Sequence, residues 1–379
     1  MNIETKLVQA GVSKDQSTGA ISMPIYQSAT FSHPELGKST GFDYSRTANP
    51  TRKVLEETIA SLEEGHAGFA FSSGMAAITT VLLMFNPGDH IVISNDLYGG
   101  TYRLLEENFK QYGITTTYTD TSSITSISKE ITEQTVAIFI ETPSNPLMKI
   151  TNLEAVCQLA RENHLLTIVD NTFLTPYLQR PIPLGADIII HSASKYLSGH
   201  NDVIAGLVVT ATESLSEKIG RIQNSTGAIL GPQDSWLVVR GMKTLAVRLE
   251  KQQINAEQIA DFLNEHPLVK NVFYPKYAPI EQKEWMEFQS KGYGAMLSFE
   301  VVDESLVAKL LKKVNVIRFA ESLGGVESLI TYPATQTHAD IPLEVREAIG
   351  VSNLLLRLSV GIENIEDLIA DLDQALNDD

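Results

Sequence analysis

Lys195 follows an apolar run in a way that could turn an amine into a nucleophile. The segment reads Ala186-Asp187-Ile188-Ile189-Ile190-His191-Ser192-Ala193-Ser194-Lys195-Tyr196, a β-branched stretch fit for a buried strand that stops in small hydroxyl residues. A free ammonium, with a pKa of about 10.4, is a poor nucleophile, but desolvation at a strand end and nearby positive charge move the neutral form toward working pH. By residue type alone, a solvated surface lysine is the commoner case. Upstream, Leu165-Leu166-Thr167-Ile168-Val169-Asp170-Asn171-Thr172 is a second apolar strand, and it ends in an acid. A pyridoxal phosphate site needs a lysine for the aldehyde, a carboxylate for the pyridinium nitrogen and hydroxyls for the phosphate. Two neighbouring strand ends offer all three.

Other groups of the same kind recur at the ends of apolar runs. Gly68-Phe69-Ala70-Phe71 leads into Ser72-Ser73-Gly74-Met75-Ala76-Ala77-Ile78, a strand, a small hydroxyl loop and a helix start whose free N–H groups and dipole suit a phosphate. Ser and Gly also serve such turns simply as caps. Asn95-Asp96-Leu97-Tyr98-Gly99-Gly100 places a tyrosine beside paired glycines, where it could lie against a flat ring or be an ordinary rim residue. In Phe42-Asp43-Tyr44-Ser45-Arg46, Arg46 could clamp a phosphate bidentately or make a surface ion pair. Arg357 alternates with leucines in Leu354-Leu355-Leu356-Arg357-Leu358 and must have a partner, either a structural acid or a substrate carboxylate.

The elements that carry these groups alternate. Helical spacing over Val54–Leu62, a strand at Gly68–Phe71, strands at His90–Ser94, Val136–Glu141, 165–170, 187–191 and Ala205–Val209, and helices near Leu104–Tyr112 and 153–163 form a βα series. An acidic, Ser/Thr-rich connection precedes the Val136 strand. The series predicts an α/β fold with a mostly parallel sheet, helices on both faces and ligands at strand C-terminal ends. Residues 1–50 lack sustained periodicity and read as an extended arm that needs a neighbouring subunit to lie on; 51–235 would form the α/β domain and 236–379 a smaller α+β domain. In that last part Gly294–Val301 and Asn353–Val360 read as strands, and 304–313 and Ile365–Leu376 as helices.

Composition narrows the function classes. A chain of 379 residues with a net charge of −17 and no clustered basic stripe is not built for nucleic acid or anionic membranes, so a small-molecule partner is expected. No apolar stretch is long enough to span a bilayer, and none resembles an export signal. Cys157 is the only cysteine, which removes internal disulfides and cysteine-based zinc sites; its helical context reads as buried and inert. A cytoplasmic enzyme without a metal is the expectation. The glycine fingerprint of a dinucleotide-binding oxidoreductase is missing, as is the G-x-S-x-G of a serine hydrolase, while a binding-only relative would have lost the lysine or its acid. Asn224-Ser225-Thr226 matches a glycosylation acceptor by accident.

Together these motifs resemble the Cys/Met-metabolism family of pyridoxal-phosphate enzymes. The resemblance rests on Tyr44-Ser45-Arg46 with Asn49-Pro50-Thr51, Ser72-Ser73-Gly74-Met75-Ala76-Ala77, Tyr98-Gly99-Gly100-Thr101, Glu141-Thr142-Pro143-Ser144-Asn145-Pro146, Val169-Asp170-Asn171-Thr172, Ser192-Ala193-Ser194-Lys195-Tyr196 and Glu321-Ser322-Leu323-Gly324-Gly325. It runs from about Thr5 to the last helix. It implies the type I fold of the aspartate aminotransferases, a homotetramer built as a dimer of dimers, and pyridoxal 5'-phosphate as cofactor. On the family pattern Lys195 holds the cofactor, Asp170 pairs with its ring nitrogen and Tyr98 stacks on the ring. Gly74, Met75, Ser192 and Ser194 bind the phosphate from one subunit, and Tyr44 and Arg46 from the neighbour. Arg357 takes the substrate carboxylate, with Asn145, Ser322 and Thr337 in the substrate group. Ser194 stands where many members carry threonine, which keeps the hydroxyl.

The family acts on cystathionine, homoserine esters and cysteine. Acids at Glu321 and Asp43 accompany members that handle cystathionine in the γ direction, so the resemblance implies a trans-sulfuration lyase of the γ-elimination type, with γ-replacement on O-acylhomoserines next and β-elimination third.

Overall fold

The computed structural model describes residues 1–339 and 341–377. Seven strands form the larger sheet: β1 (Ala67–Phe71), β2 (His90–Ser94), β3 (Thr115–Thr119), β4 (Thr135–Glu141), β5 (Leu166–Asp170), β6 (Ile188–Ser192) and β7 (Gly206–Thr210). Their order is β1-β7-β6-β5-β4-β2-β3, and only β7 runs against its neighbours. The mostly parallel sheet expected from the alternation is therefore present.

Strand residues alternate between two apolar layers, which is why these runs are nearly all Ile, Val, Phe and Leu. Ile93, Phe139, Ile168 and Ile190 pack with Ala77, Ile78 and Val81 of helix Gly74–Leu82 and with Ile219 of helix Glu213–Thr226. Val92, Ile138, Val169 and Ile189 face the other way, toward Leu55 and Ile59 of helix Pro50–Glu63 and Val156 of helix Leu153–Glu162. With both faces covered, the only part of the sheet left to hold a ligand is its rim. Cys157 lies in the second layer, 2% exposed, and burial pushes its thiol up to about 12.

A second sheet contains β8 (Val269–Phe273), β9 (Met296–Val301), β10 (Arg318–Phe319), β11 (Leu329–Thr331) and β12 (Leu355–Ser359), in the order β10-β11-β12-β9-β8. It is antiparallel except for the β10–β11 pair. Among the described residues no helix is long and apolar enough to cross a membrane.

The structure departs from the sequence reading in places with a common cause. The Ser/Thr-rich connection contains an edge strand, β3, of sequence Thr-Thr-Thr-Tyr-Thr, and a short helix, Ile124–Glu130; an edge strand solvated on one side carries no apolar run to reveal it. The helix expected from Leu104 begins at Gly99 and continues through a π turn at Leu104–Phe109. The N-terminal segment is not wholly extended: Ile3–Val8 is helical, and Ile3, Leu7, Ala10 and Met23 join the core. Beyond it, Ile25, Tyr26, Leu36 and Tyr44 are exposed.

Candidate active site

At the C-terminal ends of β4, β5 and β6 lies a cavity of about 830 Å³, closed on its far side by residues 320–323 and by Arg357. Strand register sets Glu141 beside Asp170, and Asp170 beside Ile190, two residues before Ser192. Adjacent parallel strands thus deliver their last side chains to one rim.

Lys195 sits on the turn after β6, where its N–H donates to the Ser192 carbonyl (3.2 Å) and its own carbonyl accepts from Gly199 (2.8 Å). Its Nζ donates to Ser322 Oγ at 2.8 Å. Burial lowers the amine to about 8, the Arg357 charge adds to this, and Glu321 opposes it. Ser322 itself has φ +106°, a strained conformation for a residue with a side chain, held where the loop folds onto the lysine turn. A side chain at Gly324 would come within 2.5 Å of the Tyr196 nitrogen, so glycine is what allows that approach.

Asp170 accepts from the Thr172 N–H at 3.0 Å. Burial raises its carboxyl above the usual range, while the Thr172 hydrogen bonds and His191 act the other way. Glu141 Oε2 accepts from the Tyr98 N–H (3.0 Å), and burial together with the adjacent Asp170 raises it well above an ordinary glutamate. Two buried acids side by side need a proton or a cation between them. A pyridinium nitrogen would supply such a cation.

The residues expected at the phosphate line the same cavity. Ser73 caps helix Gly74–Leu82 by accepting from Ala76 (3.0 Å), and its carbonyl takes the Ala77 N–H (3.1 Å), which leaves the N–H groups of Gly74 and Met75 toward the cavity. A Cβ on Gly74 would press to 3.2 Å on Ser192, and one on Gly206 would collide with the Ser73 carbonyl at 2.1 Å. The cradle is thus closed by backbone. The Ser192 N–H donates to Thr172 Oγ1 (2.8 Å), whereas the Ser194 hydroxyl is engaged with the Ala205 backbone. Tyr98, 42% exposed, borders the cavity, and a Cβ at Gly100 would strike its ring at 2.4 Å.

Arg357, 2% exposed, donates to Asn145 Oδ1 (2.9 Å), the Ser322 carbonyl (3.2 Å) and Thr331 Oγ1 (3.3 Å), and its Nε has no partner. Among the described residues no carboxylate pairs with it. Burial lowers the guanidinium to about 10, and Glu141 acts against that. A buried cation held only by neutral acceptors is a receptor for an anion. His338, fully buried, bonds Thr337 Oγ1 through Nδ1 (2.9 Å) and the Asn145 carbonyl through Nε2 (3.1 Å). Burial and the Arg357 charge lower this imidazole to about 4, which keeps it neutral.

The cavity therefore brings together Lys195, Asp170, Tyr98, Gly74, Met75, Ser192, Ser194, Asn145, Glu321, Ser322, Thr337 and Arg357. Three other expected site residues lie outside it in their own chain. Arg46 donates to the carbonyl and Oδ1 of Asn224 (2.7 and 2.9 Å) and stands 5.5 Å over the Tyr44 ring, while Asp43 meets Ser39 and His33. Sequence reasoning assigned no role to Glu141, Thr172 and His338. Glu141 had a usable signal, since it ends an apolar strand as Asp170 does.

A mostly parallel sheet that gathers a buried lysine, two buried carboxyls and a helix start at one rim is the arrangement of a pyridoxal-phosphate enzyme of the type I fold. The chain matches the family model described as Cys/Met metabolism PLP-dependent enzyme over residues 4–377, and it belongs to that family. It is 51% identical over 376 residues to a cystathionine gamma-lyase of Bacillus subtilis, covering 99% of both chains. It is 53% identical over 375 residues to the cystathionine gamma-synthase/O-acetylhomoserine (thiol)-lyase of the same organism, covering 99% of this chain and 96% of that one. A cystathionine beta-lyase of Lactococcus lactis is 50% identical over 375 residues, with 99% of each covered. The crystal structure of cystathionine gamma-lyase from Lactobacillus plantarum complexed with L-serine superposes with a TM-score of 0.96 at 48% identity, over 99% of this chain and 98% of that one. The chain is thus a carbon–sulfur lyase-type enzyme of trans-sulfuration, and its cofactor is pyridoxal 5'-phosphate.

Proposed function

We propose that the enzyme catalyses α,γ-elimination of cystathionine, with water, to cysteine, 2-oxobutanoate and ammonia. The observation that carries this reading is the pairing, along one cavity wall, of an acid-free buried cation, Arg357, with the exposed carboxylate of Glu321. Cystathionine has an amino-acid group at each end, and such a wall offers an anion receptor for one end and a cation receptor for the other.

Lys195 Nζ would hold the cofactor aldehyde, Asp170 its ring nitrogen, and Ser192, Ser194 and the Gly74 and Met75 N–H groups its phosphate. When bound, the cofactor supplies an electron sink for the pair left at Cα. Arg357 and Asn145 bind the α-carboxylate and orient the Cα–H bond. Lys195 Nζ, once free, would remove the proton at Cα and, only after releasing that proton and regaining its lone pair, a second one at Cβ, while the Tyr98 hydroxyl would give a proton to the departing sulfur. Glu321 receives the distal ammonium. We place Tyr44, Arg46 and Asp43 at the cavity of a neighbouring subunit in a homotetramer, because their own chain leaves this arm exposed and away from its own cavity.

A second reading, γ-replacement on an O-acylhomoserine by cysteine or sulfide, is supported by the 53% identity to a relative of that name. Product analysis separates them. Cysteine and 2-oxobutanoate from cystathionine support the proposal; homocysteine and pyruvate replace it with β-elimination; turnover only with an O-acylhomoserine and a thiol replaces it with synthesis.

A further inference from the structure

The rim residues of the cavity have counterparts on the reverse face of the same sheet. Strand alternation turns His191 away from Ser192, into the layer beneath helix Pro50–Glu63. There its Nε2 meets Glu63 Oε1 at 2.7 Å, both side chains having no exposure at all. The same oxygen accepts from Asn171 Nδ2 at 2.9 Å, and Asn171 follows Asp170. Asn171 Nδ2 also donates to the Gln179 carbonyl (2.8 Å), and Gln179 Nε2 donates to Asn171 Oδ1 (3.1 Å) and to the Thr142 carbonyl (3.3 Å). Thr142 follows Glu141. One buried chain of hydrogen bonds therefore touches the residue next to each of Glu141, Asp170 and Ser192.

Nothing in the reaction derived above uses this chain. Burying a carboxylate and an imidazole away from solvent is costly, and two of their atoms, Glu63 Oε2 and His191 Nδ1, have no partner. Apolar residues would cover the same helix at less cost. What the polar groups add is direction. An apolar contact tolerates small slips between strands, whereas hydrogen bonds between fixed donors and acceptors do not. Asp170 must meet a single ring atom, and among the described residues its side chain is held inside the cavity by Thr172.

We propose that Glu63, His191, Asn171 and Gln179 form a positioning network that registers the ends of β4, β5 and β6 from behind, and thereby sets how firmly Asp170 holds the cofactor ring. The inference rests on the reading of Asp170 as the ring-nitrogen acid. Metal sites show the scale expected when outer groups that orient a ligand are removed, about tenfold or more in affinity.

The experiment titrates apoprotein with pyridoxal 5'-phosphate and records both the dissociation constant and the position of the bound-cofactor absorption band. Glu63→Leu is expected to weaken binding about tenfold and shift the band, and Glu63→Gln, whose carbonyl can still accept from His191 and Asn171, to recover most of both. Gln179→Met, a small change at the far end of the network, tests the same point should Glu63→Leu fail to fold, and should weaken binding severalfold. Folded Glu63→Leu or Gln179→Met protein with wild-type affinity and band overturns the proposal. Asp170→Asn separates the two layers of the inference: an unchanged band there removes the ring-nitrogen role itself, while a changed band beside silent network variants removes only the network.

Discussion

The two walls of the cavity are built differently. On one side the ends of three adjacent parallel strands present Glu141, Asp170 and Ser192, with apolar layers on both faces and hydrogen bonds tying the neighbouring residues from behind. On the other side stand a loop, residues 320–323, with a strained Ser322, and one strand residue, Arg357, held by neutral acceptors. The first wall has little freedom and carries the groups proposed for the cofactor. The second has an exposed acid and a buried cation held by neutral acceptors, and it is the wall proposed to read the substrate. Relatives named for different activities at about half identity are what such a division allows, because the loop can change without disturbing the strands.

The comparison is tested most severely where the walls meet, at Lys195. Lys195→Ala should reduce turnover of cystathionine by at least about a thousandfold, through loss of the base at Cα and Cβ, and should leave protein that borohydride no longer labels. Retained turnover would mean that the first wall is not where the chemistry is done. Arg357→Leu should cost about a hundredfold or more in kcat/KM, mostly in KM, since the α-carboxylate loses its only charged partner. A change confined to kcat would move Arg357 from binding to chemistry.

His338 joins the walls through Asn145 and Thr337, and its folded-state pKa of about 4 lies below the ordinary value of 6.5. As pH falls through 6.5 the unfolded chain takes up the proton first, so stability should decline between about 6.5 and 4, by on the order of 3 kcal/mol in all. Urea midpoints compared at pH 7 and 4.5 should show a smaller difference in His338→Gln than in wild type. The Lys195 amine, lowered to about 8, gives a milder effect: reconstitution of apoprotein with the aldehyde should slow about tenfold for each pH unit below 8 and level off above it. Arg357→Leu should move that plateau upward and Glu321→Gln downward, as the signs of their charges require. The smallest effect belongs to the most exposed group. Glu321→Ala should lower kcat/KM for cystathionine by about fivefold, the scale of an exposed ion pair, and leave a substrate without a distal ammonium unaffected; equal losses on both would end the idea that this wall reads the far end of the substrate.

How much could be read before the fold was known follows the same division. Strands β2, β4, β5 and β6 are continuous apolar runs because both faces are covered, and Lys195, Asp170 and Ser192 stand out because they end such runs. The alternation of these runs with helical spacing was enough for the mostly parallel sheet. The edge strand β3 was hidden by its threonines, and β7 gave no sign of running backward, since direction is a matter of connection rather than composition. Glu63 and His191 were invisible for another reason: they lie far apart in the chain, and each looks like a surface charge until the helix and strand are stacked. Asp43, Tyr44 and Arg46 were expected at the site from the family resemblance alone, and in their own chain they do not line the cavity.

The state of Cys157 bears on life among reactive thiols. An enzyme of this family works beside sulfhydryl metabolites and, in air, beside their oxidised dimers, either of which can capture an accessible thiolate as a mixed disulfide. Here the sole sulfur nucleophile is packed against the back of the sheet and stays protonated far above neutrality. The folded protein should therefore neither be glutathionylated nor need a reductant to remain active, and mass spectrometry after exposure to cystine should find its mass unchanged.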